Sequence, residues 1–337
     1  MGRKKGVWIA SITAIALCAV ALPALGDPYR VATFNCEFLI RSEVHRKFGI
    51  ESPSGAAAAT WANPAYRNAR FTEAADAVAR VIAPLNADFI VLTEIGDLAD
   101  LTALRDAIAA HGVNYPHMSL GTTDGTTGQF VAALSRTPFL TEQPGIPGRE
   151  SYIPEPDDPH EEDDTGVSKG LHFTVQTQGH TLNVFAAHLV SERGGHAEDQ
   201  QRIAQASVIR RNYLPLVKEG RHVIVAGDFN DHPGQPALLR MQGFDDIDED
   251  LIQTGSARYF DPADLPDRWT YMFEGRREQI DRILISRSIR DACKQGRNGV
   301  RTFIIPMTTT IDSSEPLLSN LHDASDHRPM VVELDFR

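Results

Sequence analysis

Runs of apolar residues closed by single polar ones recur along the chain, and their spacing predicts strands and helices in alternation. Residues 31–40, 88–94 (DFIVLTE), 129–135 and 221–229 (RHVIVAGDF) are apolar stretches of strand length, the pattern of strands buried on both faces. Residues 171–176 and 181–189 predict a hairpin about Gly179-His180, and further strands are expected at 279–286 and 330–336. Helical spacing occurs in Phe71, Ala74, Ala75, Val78, Ile82 and Leu85, in 97–110 before Gly112, and in 196–217. Residues 41–66 show no period and read as a long loop. No internal repeat and no linker interrupts the pattern, so residues 27–337 are read as one α/β domain with sheets at its centre and helices outside.

Polar residues stand where these strands end: Asn35 and Glu37 in TFNCEF, Glu94 in VLTEIGD, His188 in FAAHLVS, Asp228 and Asn230 in VAGDFND, Asp281 in QIDRIL, and Asp326-His327 in ASDHRP. A carboxylate closing an apolar run is unfavourable unless it is paired, hydrogen-bonded or coordinating a cation. One such residue is an ordinary strand cap; the repetition predicts a cleft along one rim of the sheets. That cleft suits a hard divalent cation, Mg²⁺ or Mn²⁺, held by oxygen donors beside a substrate phosphate. No HExxH, GxSxG or GxxxxGK[ST] motif occurs, so the inventory favours metal-assisted hydrolysis at phosphorus over zinc-protease, serine-hydrolase or nucleotide-driven chemistry.

The N-terminus bears on where that chemistry happens. Arg3, Lys4 and Lys5 precede an uncharged apolar run, 7–22, and then Pro23-Ala24-Leu25-Gly26, the pattern of a signal peptide cut after Gly26. A secreted or periplasmic protein without stable membrane insertion is expected, with an uncleaved anchor as the alternative. Removing residues 1–26 takes the formal charge from −12 to −15. So acidic a surface excludes passive coating of nucleic acid but not an enzyme with a local positive groove. Cys36 and Cys293 read as free, small apolar residues. The run 155–164 (EPDDPHEEDD) reads as a solvated loop, with a surface Ca²⁺ site as the sharper alternative.

TFNCE, LTEIGD, LSRTP, the strand ending at His188, GDFND, QIDRILIS and SDHRP, in that order over residues 29–336, resemble the endonuclease/exonuclease/phosphatase superfamily of deoxyribonuclease I-like proteins. The resemblance implies a four-layer α/β/β/α sandwich with two packed mixed sheets. It implies Glu94 as the main metal-binding residue, with Asn35, Glu37 and Asp326 beside it. It also implies catalytic roles for Asp228 and Asn230 of the GDxN pair, for His327, for Asp281 which orients it, and for His188. Whether Asp228 or His327 takes the proton stays open. Lys169, Arg202, Trp269 and Arg276 are further candidates for substrate contact, each weighed against a surface or core role.

The sequence leaves the substrate open. A monomeric, exported Mg²⁺-dependent phosphodiesterase acting on DNA or RNA is the leading expectation. The same chemistry on a lipid headgroup or small phosphoester is the alternative, and a binding protein on an inactive scaffold is the third.

Overall fold

Along each central strand, successive side chains alternate between two apolar cores, and this alternation generates the layers. The computed structural model describes residues 27–155, 161–243, 250–295, 299–306 and 324–337 and contains two six-stranded mixed sheets. In spatial order the first consists of Val300–Ile304 (β13), Met330–Leu334 (β14), Tyr29–Leu39 (β1), Phe89–Ile95 (β2), Phe130–Ser135 (β4) and His117–Thr123 (β3). The second consists of Phe139–Tyr152 (β5), Asp163–Thr177 (β6), His180–His188 (β7), His222–Asp228 (β8), Asp281–Ser286 (β12) and Leu251–Gln253 (β9). A separate hairpin pairs Tyr271–Phe273 (β10) with Arg276–Glu278 (β11).

Val31, Phe89 and Val91 meet Phe173, Val184 and Ile283 between the sheets. On the opposite face of the first sheet, Ala32, Phe34 and Leu92 pack with Phe71 and Val78 of Pro64–Ile82 (α2) and Leu104 of Leu98–Ala110 (α3). Phe185, Val223 and Val225 pack with Val208 and Ile209 of His196–Lys218 (α4) and Leu238 of Pro236–Gln242 (α5). The result is the four-layer α/β/β/α sandwich, and strands covered on both faces explain the apolar runs in the sequence.

Each sheet has one parallel pair, β1–β2 and β7–β8, with α2 and α4 in the connections. Helix starts follow their capping residues: Asp97 accepts from the amides of Ala99 and Asp100, and Asn63 accepts from Ala65 beside Pro64.

The expected loop at 41–66 is corrected by the structure. It contains a 3-10 turn at Arg46–Phe48, an eight-residue helix Gly55–Ala62 (α1) and the start of α2. Helix α1 buries only Trp61, so it carries no apolar stripe and rests on alanine propensity. Strand β5 escaped the reading because Pro144, Gly145, Pro147 and Gly148 interrupt it, which an edge strand with register shifts tolerates. Of the acidic run, Asp163 and Asp164 open β6 and are exposed. Its residues 156–160, like the leader 1–26, lie outside the described residues. Cys36 and Cys293 are both buried and free, and burial pushes each thiol up to about 12. Among the described residues, no helix is long and apolar enough to cross a membrane.

Gly227, one residue before the end of β8, has φ 143°, and a Cβ there would meet the Ala187 carbonyl oxygen at 1.9 Å. β7 and β8 can therefore approach only over a glycine. Gly227→Ala is expected to destabilise the fold by about 3 kcal/mol, read as a lower denaturant midpoint at unchanged slope.

Candidate active site

Register places the first three site residues. His188 lies beside Asp228 in the β7–β8 pairing, and Asp228 lies opposite Asp281 in the β8–β12 pairing, so the three form one row at the rim of the second sheet. The first sheet faces this row with Asn35 and Glu94, from the C-terminal ends of its own parallel pair. The Asn35 amide nitrogen donates to Glu94 Oε1 at 3.2 Å and to Asp228 Oδ2 at 2.9 Å, joining the two rims. Glu37, Glu94 and Asn230 have φ of 47°, 59° and 47°, left-handed conformations unfavourable for these side chains. Their clustering turns the strand ends into the cleft, strain of the kind found at functional sites.

His327 arrives from the segment before β14. Its Nδ1 lies 2.7 Å from Asp281 Oδ2, its backbone amide donates to Ser325 Oγ, and Ser325 Oγ in turn donates to the Asn35 carbonyl. With Nδ1 held, Nε2 faces the cleft, 3.9 Å from Asp228 Oδ2. His188 Nε2 stands 3.7 Å from the same oxygen and 3.9 Å from Glu94 Oε1. Asn230 donates through its backbone amide to Asp228 Oδ1 and through its side chain to the Leu189 carbonyl.

The two histidines are driven apart electrostatically. Burial opposes charging His327, but the carboxylates of Asp281, Asp326 and Asp228 outweigh it and hold the imidazolium well above 6.5. Burial, Lys169 and the charge on His327 push His188 well below 6.5, leaving it neutral. Burial and the Asp281 charge raise Asp228 to about 6, against support from His327 and two hydrogen bonds. Burial raises Glu37 to about 8 despite Lys47, and raises Asp326 as well.

Asn35, Glu37, Glu94, His188, Asp228, Asn230, Asp281, Asp326 and His327 are thus brought together. Lys169 joins them, lying opposite His188 in the β6–β7 pairing with Nζ 2.9 Å from Gln129 Oε1. The other substrate candidates stand apart from the walls of this cleft, whose volume is about 770 Å³. Arg202 is buried on α4 against Asp199 and lines a separate pocket beside Asp231, because the helix packs its arginine toward the second sheet. Trp269 is buried with the Arg328 guanidinium 3.5 Å above its ring. Arg276 is exposed on the β10–β11 hairpin, paired with Glu274.

Three residues at or behind the cleft, Lys47, Arg46 and Arg193, went unread in the sequence, whereas Tyr271 belongs to the Arg268–Tyr271 segment that the sequence marks for substrate contact. Lys47 buries its ammonium against the Cys36 and Ala324 carbonyls at 2.8 Å each, with Glu37 at 3.4 Å. Arg46 and Arg193 line the mouth, and the Tyr271 ring lies 4.7 Å from that of His327. Lys47 and Arg46 come from the aperiodic segment, which carried no signal for them.

The donor set fits a divalent cation. Glu37, Glu94 and Asp326 offer hard oxygen donors beside Asn35, the donor class that suits a divalent cation, and burial raises Glu37 and Asp326. Among the described residues, Asp228, Asp281 and His327 are the group whose ligand atoms approach within 4.8 Å of one another, close enough for one ion, with His327 Nδ1 and Asp281 Oδ2 engaged in their mutual hydrogen bond. A stability prediction follows from Glu37, whose pKa in the fold is about 8 against an ordinary 4.5. A raised carboxyl favours the fold while protonated, and that contribution is lost as pH rises through the folded pKa. In chelator, the thermal midpoint is expected to fall from about pH 5 to 8 and level off above, Glu37→Gln to flatten the decline, and added Mg²⁺ or Mn²⁺ to raise the midpoint most at the alkaline end. A decline equally steep in Glu37→Gln would remove Glu37 as its source.

A family model described as "Endonuclease/Exonuclease/phosphatase family" matches residues 32–327. Among solved structures, truncated TDP2 of Caenorhabditis elegans superposes with a TM-score of 0.55 at 15% identity, over 92% of this chain and 98% of that one. Sphingomyelinase C of Streptomyces griseocarneus gives 0.54 at 17%, over 91% and 99%. Beta toxin of Staphylococcus aureus gives 0.53 at 14%, over 90% and 99%. At such identities these likenesses concern the fold alone. No curated protein matches the sequence.

Proposed function

We propose that this chain, which belongs to the Endonuclease/Exonuclease/phosphatase family, is an exported, divalent-metal-dependent phosphodiesterase acting on nucleic acid. The observation that carries the chemistry is the row His188–Asp228–Asp281, with His327 tied to Asp281 and the Glu94–Asn35 pair facing it. Glu94, with Asn35, Glu37 and Asp326, would hold Mg²⁺ or Mn²⁺, which when bound neutralises phosphate oxygens and stabilises a departing alkoxide. Asp228 accepts the proton of the attacking water, and Asn230 fixes the Asp228 carboxylate through its backbone amide. His327, charged and held by Asp281, donates from Nε2 to a non-bridging phosphate oxygen. Neutral His188 donates a hydrogen bond from the other side of Asp228, and Lys169 supplies a further positive charge.

Nucleic acid is favoured over a lipid by the surroundings of the cleft. The hairpin beside it carries Glu274, Gly275, Arg276 and Arg277 across its turn, polar rather than membrane-seeking. Among the described residues, the exposed large apolar side chains Tyr66, Leu98, Leu140 and Ile153 are spread over α2, α3 and the β5 region. Export through a leader ending at Gly26 belongs to the same reading.

The test is conversion of supercoiled plasmid and of bis-p-nitrophenyl phosphate, with Mg²⁺, Mn²⁺ or EDTA. Nicking that EDTA abolishes is the expected result. Turnover of the small diester by a protein that never nicks DNA would move the substrate to lipid headgroups or small phosphoesters. Turnover of neither would overturn the enzymatic reading in favour of a binding protein.

A further inference from the structure

Two arginines at the cleft mouth are built for an anion that the reaction chemistry above does not use. The Arg46 guanidinium lies 3.8 Å from the centroid of the Phe38 ring, and that of Arg193 lies 5.5 Å from the centroid of Phe273. Arg193 Nη2 also donates to the Tyr271 hydroxyl at 3.4 Å. Stacking on a ring fixes the plane of a guanidinium while leaving its edge free to donate, the geometry that suits bidentate binding of phosphate. Arg46 Nε is buried without a partner. The residues come from different elements, the 3-10 turn after β1 and the segment before α4, yet both line the same cleft as Glu94 and Asp228.

Glu51 pairs with Arg46, and its charge also reaches Arg193, behind that of Asp326. Its carboxylate is 3.0 Å from Arg46 Nη2, and its side chain is 80% exposed. An ion pair so exposed contributes roughly 0–1 kcal/mol, too little to explain two ring-stacked arginines as a structural device. The same weakness makes the carboxylate easy to displace by a phosphate, which accepts more hydrogen bonds from the same donors.

We propose that Arg46 and Arg193 form a seat for a second, non-reacting phosphate of the substrate, and that Glu51 occupies this seat in the free protein. The inference rests on the phosphodiesterase reading and narrows it: the preferred substrate carries a phosphate next to the scissile one, as a nucleic acid strand does and a single-phosphate lipid headgroup does not. Arg46 and Arg193 are then specificity determinants rather than catalytic residues.

The experiment compares thymidine dinucleotides having one internal phosphate with the same dinucleotides bearing an added 5′- or 3′-terminal phosphate. Binding to the protein is measured by calorimetry at fixed ionic strength in EDTA, where the diester is not turned over, and turnover of bis-p-nitrophenyl phosphate with Mg²⁺ is followed in parallel. One of the added phosphates is expected to tighten Kd about tenfold. Arg46→Ala and Arg193→Ala should each reduce that advantage to below threefold. Glu51→Gln should tighten binding of the phosphorylated dinucleotide about threefold, and the gain should vanish in the Glu51→Gln/Arg46→Ala double variant. Because the two arginines are partly exposed, thermal melts and the conservative Arg46→Lys and Arg193→Lys variants, expected to keep part of the advantage, separate loss of the seat from loss of fold. Equal binding with and without the terminal phosphate, an advantage that survives both alanine variants, or weaker binding in Glu51→Gln would overturn the seat. Absence of diester turnover with the binding pattern intact would instead count against the phosphodiesterase reading alone.

Discussion

Asp228→Asn is expected to lower metal-dependent diester turnover by about 10³-fold while leaving the thermal midpoint where it was or slightly higher. The two halves of this expectation come from one environment. Asp228 is 1% exposed, accepts from Asn35 and Asn230, and is the carboxylate that both histidines face within 4 Å. Its charged form is disfavoured by burial and by Asp281, which is why its carboxyl titrates at about 6. A base poised there is ionised at neutral pH and still basic enough to take a proton in a transition state. Asparagine removes the base. It also removes a buried negative charge beside another, offsetting the loss of the Asn35 hydrogen bond, so activity and stability should part company. In the wild type, kcat/KM should rise with pH through about 6, and the limb should move lower as metal occupancy increases, because a nearby cation favours the carboxylate. The measurement is a pair of pH profiles with thermal melts of both proteins. Retention of activity within tenfold by folded Asp228→Asn would remove Asp228 as the base.

Much of this site could be read from the chain because of where buried strands stop. A strand covered on both faces appears as an apolar run, so its first polar residue lies at the rim; that logic reached Asn35, Glu94, His188, Asp228 and Asp281 without coordinates. It could not reach Lys47 or Arg46, which sit in a single 3-10 turn of a segment whose following helix, α1, rests on alanine rather than on an apolar stripe. It also could not show that Glu37, Glu94 and Asn230 adopt left-handed backbone, since nothing in a glutamate's identity announces positive φ. Arg202 failed differently. As a cation on the helix after residues 191–196 it was a candidate for phosphate contact, but α4 carries it to Asp199 and Asp231 behind the GDFND turn. Helical direction, set by packing against the second sheet, decided its place.

The largest remaining effect concerns His327, and it separates two mechanisms that residue identity alone leaves equivalent. His327→Ala should lose about 10³-fold in kcat/KM, since it removes a charged donor aimed at the phosphate. That loss would follow equally if the imidazole were the base, so the decision lies with its partner. Asp281 is fully buried, keeps Nδ1 at 2.7 Å, and its charge is the largest of those sustaining the imidazolium. Asp281→Asn preserves shape and an oxygen acceptor but withdraws that charge, so the pKa of His327 must fall. If His327 acts as imidazolium, wild-type kcat/KM declines at alkaline pH, and in Asp281→Asn the decline begins at lower pH with activity intact on the acid side of it. If His327 were the base, activity would instead rise with pH through its titration, and Asp281→Asn would move that rising limb to lower pH. The two mechanisms move opposite limbs of the profile. An NMR titration of the His327 ring in both proteins fixes which limb belongs to it. The geometry favours the first outcome, because Nε2 already has carboxylate oxygens of Asp228 and Asp326 at 3.9 Å, an arrangement that a protonated ring stabilises and a neutral one does not.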